Sequence, residues 1–185
     1  MKHQIRLFLL LVFIYLVFAL PFKAMNIIPG FTDVRPVSAL APIYGIFYGP
    51  LGCLACAIGN LIADIIDDAL RWSSLAGFAA TFLGPLMIWQ LWMRFGRHPF
   101  ALRTIPDFLF HTLVIVVVAI MQAAIITPAV AYAYPEVNAK LFALIVLCNS
   151  TFFPIVLGIP LSIIMQDELG FSLYSEEKQA TETKN

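Results

Sequence analysis

The chain has 185 residues, of which 61% are hydrophobic and 12% are charged, and its formal net charge at pH 7 is zero. Soluble domains contain about half apolar residues, so this composition excludes an ordinary soluble domain and indicates an integral membrane protein. The balanced charge gives no support to nucleic-acid binding. The three cysteines lie in apolar runs, which is not the pattern of a disulfide framework.

The first apolar run predicts a transmembrane helix over about residues 6 to 23. The run is longer than the apolar part of a secretory signal, and no small-x-small cleavage site follows it. We therefore expect this helix to be retained. A polar segment containing proline and glycine follows, over about residues 24 to 36.

The next apolar stretch is interrupted by Gly49-Pro50-Leu51-Gly52. Proline and glycine in this arrangement stop a helix, so the pattern predicts a helical hairpin. Its first helix would cover about residues 37 to 48 and its second about 51 to 67. At 1.5 Å of rise per residue, the first of these is too short to cross a bilayer unaided.

Three longer helices are expected after the hairpin. The predicted fold class is therefore all-α, a polytopic membrane protein with six transmembrane helices. Residues 1 to 168 would form a single domain, and the polar tail from 169 to 185 is expected to be disordered. The three longer helices are predicted over about residues 74 to 93, 105 to 133 and 139 to 165.

The positions of lysine and arginine predict the orientation in the membrane. Lys2 and Arg6 precede the first helix, and Arg94, Arg97 and Arg103 cluster between the fourth and fifth helices. Positive residues are enriched on the cytoplasmic side. We therefore expect a multi-pass protein of the cell membrane with both termini in the cytoplasm.

Motifs for enzymatic chemistry are missing from the sequence. It contains no phosphate-binding G-x-x-x-x-G-K-[ST] loop, no H-E-x-x-H and no G-x-S-x-G. Cys53 and Cys56 have C-x-x-C spacing but no second pair, so we interpret them as small packing residues. The sequence therefore predicts neither a cofactor nor a metal site.

Asn60 and Asp64 are four residues apart and share one face of a predicted helix, which Asp67 continues. A carboxylate within a helix end is costly in lipid, so Asp64 should face protein or water. For Asp67 and Asp68 two interpretations stay open. They either end the helix at the interface, where Arg71 could pair with them, or they form the rim of a polar cavity.

Gln122 and Asn149 lie at a depth similar to that of Asn60, near the middle of the membrane. These amides either join helices by hydrogen bonds or form the floor of a pocket for a small polar ligand. Trp72 stands beside the acidic residues and could stack on a ligand ring. Asp33 and Arg35 precede the hairpin, where they could close over such a pocket.

Three stretches carry a resemblance to a known family. They are Arg35-Pro36-Val37-Ser38-Ala39-Leu40-Ala41-Pro42, Gly45-Ile46-Phe47-Tyr48-Gly49-Pro50-Leu51-Gly52 and Gly59-Asn60-Leu61-Ile62-Ala63-Asp64. Their order resembles the second and third helices of substrate-binding S components of energy-coupling-factor (ECF) transporters, including the queuosine-precursor type. The resemblance implies that the chain binds a vitamin or related micronutrient in an outward-facing cavity capped by the loop after the first helix.

The resemblance also implies partners, namely a transmembrane coupling subunit and two cytoplasmic ATPases. One feature departs from the family, because the first helix lacks the Ala-x-x-x-Ala pattern through which many S components dock. Two alternatives stay open: a small metal-dependent membrane enzyme using Asp64, Asp67 and Asp68, and a structural or sensory subunit without a ligand. The predicted ligand-binding residues are Asp33, Arg35, Asn60, Asp64, Trp72, Gln122 and Asn149.

Overall fold

The computed structural model describes residues 2–23, 25–28, 31–96 and 100–174. These ranges form helices, together with one small antiparallel pair of strands, β1 (Asn26–Ile28) and β2 (Thr32–Asp33). Short 3₁₀ turns cover Leu20–Phe22 and Pro36–Ala39, and a π-helical turn covers Pro154–Gly158. The helices are α1 (Lys2–Ala19), α2 (Leu40–Ile66), α3 (Ser73–Phe95), α4 (Ile105–Ala133), α5 (Ala139–Phe153) and α6 (Ile159–Asp167).

The helices have the length and composition of a membrane protein. Within the described ranges, five helical stretches are long and apolar enough to cross a bilayer. This confirms the predicted all-helical, membrane-type fold at the level of its class. The stretches are Lys2–Phe22, Pro36–Ile66, Ser73–Phe95, Ile105–Ala133 and Ala139–Asp167.

Helix α2 is broken at Gly49, where the sequence predicts the break. The residue has φ 53° and ψ −138°, a conformation that glycine adopts readily, and Pro50 follows it. The chain reverses direction here. A Cβ atom on Gly52 would lie 2.3 Å from the carbonyl oxygen of Tyr44, whereas eight residues of continuous helix would separate them by about 12 Å of rise.

The end of the bundle that holds β1, β2 and the turns from 67 to 72 and from 134 to 138 is called the strand end here. Phe31, Arg71 and Tyr134 meet at this end. The opposite end, called the terminal end, holds the Gly49 turn and residues 169–174. There Tyr174 packs against Gly49 and Trp89.

Part of the segment predicted to be a disordered tail packs against the bundle. Residues 169–174 were expected to belong to a disordered tail, but Leu173 is fully buried and Phe171 packs edge-on against Phe47. Burial of Leu173 stabilises the segment against the bundle. Residues 175–185 lie outside the described part of the chain.

The terminal end contains an aromatic core. Trp92 is fully buried, and its ring lies 4.8 Å from Phe100 and 5.4 Å from His111 between ring centroids. Tyr44 is also buried and donates a 2.7 Å hydrogen bond to the carbonyl of Leu11 in α1. Large side chains thus fill the terminal end, while the strand end contains a cavity.

Candidate functional site

A cavity lies between the helices and reaches the surface at the strand end. Its empty volume is about 1250 Å³, including the open mouth. Residues of α1 to α5 and of the segment from 31 to 38 line it. Small-molecule sites are typically concave and lie between the helices of bundles, and this cavity has both features.

Most of the side chains predicted from the sequence to bind a ligand meet at this cavity. Trp72 does not, because it lies in the turn between α2 and α3 with 81% of its surface exposed. The structure therefore places Trp72 away from the cavity. The residues that do line it are Asp33, Arg35, Asn60, Asp64, Gln122 and Asn149.

Lys23 is at the centre of the charged wall, although the sequence did not identify it. Its Nζ lies 2.8 Å from Asp64, 3.7 Å from Asp33 and 3.9 Å from Asp67, measured to the nearest carboxylate oxygens. Only 11% of the Lys23 side chain is exposed. Three carboxylates from two separate segments thus share one ammonium group at the cavity wall, and buried charges require such pairing.

Arg35 pairs with Asp33 rather than with Asp64. Its Nε donates to Asp33 Oδ1 at 2.5 Å, and its NH1 group donates to Asn60 Oδ1 at 3.4 Å. Asp64 instead has Lys23 as its closest cationic partner, at 2.8 Å. Burial lowers the pKa of the Arg35 guanidinium, but the carboxylates of Asp33 and Asp64 outweigh this and raise it, so the group stays charged.

Asn60 joins the charged wall to α1. Its Oδ1 lies 3.4 Å from the hydroxyl of Tyr15, which donates to it. The Tyr15 ring reaches this position because Gly59 has no side chain, and a Cβ atom there would lie 2.6 Å from the ring. The Asn60 Nδ2 group faces Gly77, which also lines the cavity.

Asn149 fastens the segment after β2 to α5. Its Nδ2 donates to the carbonyl of Asp33 at 2.8 Å, and its Oδ1 accepts from the backbone N–H of Arg35 at 3.2 Å. The Ser38 hydroxyl lies 2.7 Å from the Asn149 carbonyl and donates to it. Asn149 therefore positions Asp33 and Arg35. These contacts within the protein already use part of its hydrogen-bonding capacity.

Gln122 occupies a similar structural position deeper in the cavity. Its Nε2 donates to the carbonyl of Ala80 in α3 at 3.1 Å. The amide fits because α3 has glycine at position 84, where a Cβ atom would lie 2.3 Å from Gln122 Nε2. Gln122 thus links two helices and also lines the cavity.

The deeper wall of the cavity is mainly apolar. Ile88, Ile115, Val118 and Phe142 are buried there. One wall of the cavity thus presents charges and amides, and the other presents hydrocarbon. This division is typical of sites for small ligands that have a polar edge and an apolar body.

Two prolines interrupt the helical hydrogen bonding beside the cavity. Pro85 and Pro154 have no N–H, so the carbonyls of Thr81 and Ser150, four residues earlier, lack the usual helical donor. Thr81 and Ser150 both line the cavity. Pro154 also begins the π-helical turn, and such turns are frequent at functional sites.

The mouth is bordered by an aromatic and cationic cluster. The guanidinium of Arg71 lies 4.6 Å from the centroid of the Phe31 ring and 5.6 Å from that of Tyr134. The two rings meet edge-on at 4.9 Å. Phe31 itself lines the cavity, so these contacts hold the segment before β2 over its mouth.

The acidic residues at the end of α2 are not arranged as a metal site. Asp68 is exposed and is not a lining residue, whereas Asp67 lines the cavity and pairs with Lys23. Among residues 2–23, 25–28, 31–96 and 100–174, no group of three or more His, Cys, Asp or Glu side chains is placed to hold a metal ion.

Comparisons of this chain with protein-family models, curated proteins and solved structures found no match. The geometry of the cavity and the sequence patterns are therefore the basis for inferring a function.

Proposed function

We propose that this chain is the membrane-embedded substrate-binding subunit of an ECF-type importer, and that it captures a vitamin or related micronutrient in its cavity. One observation supports this most directly. A cavity open at one end of a membrane-type bundle has Lys23, Asp33 and Asp64 buried in one wall and hydrocarbon in the opposite wall.

The proposed topology has six transmembrane helices, with both termini in the cytoplasm. The reversal at Gly49 supports the sixth crossing, because it divides α2 into two antiparallel parts. The positions of Lys2, Arg6 and Arg94 support a cytoplasmic terminal end. The strand end, with the mouth of the cavity, would then face outward from the cell membrane.

Ligand binding in this proposal needs no covalent chemistry. Asn60 and Gln122 offer amide groups, and the carbonyls of Thr81 and Ser150 offer acceptors. The apolar wall would bury the body of the ligand. Trp72 is excluded from this proposed set, because its side chain lies outside the cavity.

Energy for uptake would come from partners, as the resemblance to S components implies. The sequence contains no phosphate-binding loop of its own. A transmembrane coupling subunit and two cytoplasmic ATPases would supply the energy for uptake. Since α1 lacks the Ala-x-x-x-Ala pattern, we propose that docking uses another surface.

The geometry gives less support to a metal-dependent enzyme. The ammonium of Lys23 already stands between the carboxylates of Asp33, Asp64 and Asp67, where a metal ion would be needed. Asp68 lies outside the cavity lining. The protein thus supplies its own positive charge at the acidic cluster.

Binding to the purified full chain tests the proposal. The chain in detergent micelles would be titrated calorimetrically with a panel of vitamins and related heterocycles, with and without a chelator. We expect one compound to bind at one site with sub-micromolar affinity, independently of metal. Asp64→Asn should weaken this binding, whereas Asp68→Asn, outside the lining, should not. Metal-dependent turnover, or no binding across the panel, would contradict the proposal.

A further inference from the structure

The charges at the cavity do not balance. The lining contains two cationic side chains, Lys23 and Arg35, and three carboxylates, those of Asp33, Asp64 and Asp67. Each cation lies within 4 Å of a carboxylate, so each is already neutralised by the protein. The lining therefore has one negative charge more than it has positive charges.

The charged groups just outside the lining do not remove this excess. Arg71 and Asp68 are both exposed and have opposite charges. The Arg71 guanidinium lies against the rings of Phe31 and Tyr134. The two outer charges cancel, and the lining keeps its single negative excess.

Asp67 is the carboxylate with the weakest pairing. Its Oδ2 lies 3.9 Å from Lys23 Nζ, compared with 2.8 Å for Asp64, and 34% of its side chain is exposed. Asp33 has both Lys23 and Arg35 as partners. An additional cation would therefore interact most favourably beside Asp67, at the mouth of the cavity.

A second observation points to a ligand deeper in the same wall. Asn60 is buried, and its Oδ1 accepts from Tyr15 and Arg35. Within the described ranges, its Nδ2 group has no hydrogen-bond acceptor, and it faces the open space beside Gly77. This donor is accessible from the cavity, so a ligand acceptor at this point would give it a partner.

We propose that the ligand is a small organic cation with a single positive charge, and that its body carries a hydrogen-bond acceptor. This inference deepens the proposed function and depends on it. The positive group of the ligand lies beside Asp67, and the acceptor faces Asn60 Nδ2. Asp67 directly follows α2, seven positions or about 10 Å of helical rise after Asn60, and this spacing sets the length of the ligand.

Anionic micronutrients are disfavoured by the same arrangement. A ligand carboxylate or phosphate would meet a wall with a negative excess, and both lining cations are already paired. Like charges brought together at a partly desolvated site repel strongly. The cavity is thus selective by charge as well as by shape.

The test uses the full chain in detergent micelles and a panel of micronutrients that contains cations (thiamine, pyridoxamine), neutral compounds (riboflavin, nicotinamide) and anions (biotin, pantothenate, nicotinate). Binding would be measured by calorimetry at two salt concentrations. We expect only cationic members to bind, with affinity that falls as salt rises. Asp67→Asn should weaken binding by roughly threefold to tenfold, because it removes the ligand's counter-charge.

Asp68→Asn is the matched control, since it removes the same charge from the next residue, outside the cavity lining. It should leave the affinity within about twofold, as expected for a screened surface charge. Binding of an anion or of a neutral compound would overturn the inference and leave the proposed function intact. Equal effects of the two variants would overturn it as well. If no compound binds, both proposals fail.

Discussion

The ammonium of Lys23 lies 2.8 Å from the carboxylate of Asp64, although 41 residues separate them in the sequence. Lys23 follows the 3₁₀ turn after α1, and Asp64 lies in the last turns of α2. Both side chains are largely buried, with 11% and 10% exposed. This pair joins the ends of two helices at the cavity mouth and fixes the charged wall.

Replacing Lys23 with methionine should destabilise the protein substantially. Methionine keeps much of the side-chain length but leaves Asp64 buried without its closest partner. Removing one partner of a buried ion pair lowers the free energy of unfolding by about 3 kcal/mol. We expect a lower thermal unfolding midpoint in detergent, measured without ligand. Lys140→Met provides the control, because Lys140 is exposed in α5 and should change the midpoint little.

A double variant separates lost pairing from lost packing. Lys23→Met combined with Asp64→Leu also removes the buried carboxylate closest to Lys23, while Asp33 keeps Arg35 and Asp67 is partly exposed. Stability should therefore recover relative to Lys23→Met alone. Strictly additive effects of the two substitutions would show that Lys23 and Asp64 do not interact energetically. That result would contradict the geometry of the pair.

The loss of stability caused by substituting Gly84 should be partly recovered by substituting Gln122 as well. Gly84→Ala places a Cβ atom 2.3 Å from Gln122 Nε2, so the amide must move and release the carbonyl of Ala80. The lost hydrogen bond should lower stability by about 1 kcal/mol. With Gln122→Ala added, the clash disappears and the double variant should be more stable than Gly84→Ala alone. Thermal unfolding of the four variants of this cycle provides the measurement, and a double variant no more stable than Gly84→Ala would contradict the prediction.

Most helices could be predicted from the sequence because hydropathy and helix-breaking residues mark their limits. The predicted range 105 to 133 matches α4, and the predicted break at Gly49-Pro50 matches the reversal in α2. The strands β1 and β2 could not be predicted from their short sequence, since pairing of two or three residues depends on the surrounding contacts. The packing of Leu173 was missed because a single apolar residue in a polar segment has no periodic pattern.

The candidate site was predicted only in part, for a similar reason. Asn60 and Asp64 stood out because their four-residue spacing places two polar groups on one face of an apolar helix. Lys23 did not, because a lysine at the end of a transmembrane helix is expected to reach the interface. Its pairing with Asp64 depends on which helices are neighbours. Trp72 was misplaced because an interfacial tryptophan can point either toward a cavity or away from it, and here it points away.

Asn149 should control the mobility of the segment that follows β2. Asn149→Leu removes both hydrogen bonds to this segment, one to the carbonyl of Asp33 and one from the N–H of Arg35. Each bond contributes about 1 kcal/mol, so amide hydrogen exchange in peptides covering residues 33 to 38 should accelerate by roughly fivefold or more. Cys148→Ala, at the exposed neighbouring position on α5, should leave exchange unchanged. Unchanged exchange in Asn149→Leu would show that other contacts hold the segment.

Replacing Gly77 with alanine should raise the stability of the empty protein but weaken ligand binding. A Cβ atom here would meet only Asn60 Nδ2, at 3.7 Å, so the cavity has room for it. Alanine is a better helix former than glycine, and Gly77→Ala should therefore stabilise the empty protein by about 0.5 to 1 kcal/mol. The same methyl group occupies space beside the free Asn60 amide and should weaken ligand binding. Gly45→Ala is the contrasting variant, since its Cβ atom would lie 2.2 Å from the Pro85 carbonyl and should destabilise the bundle. Thermal unfolding without ligand and calorimetry with ligand measure the two effects. If Gly77→Ala binds the ligand as tightly as the unchanged chain does, the ligand lies elsewhere in the cavity.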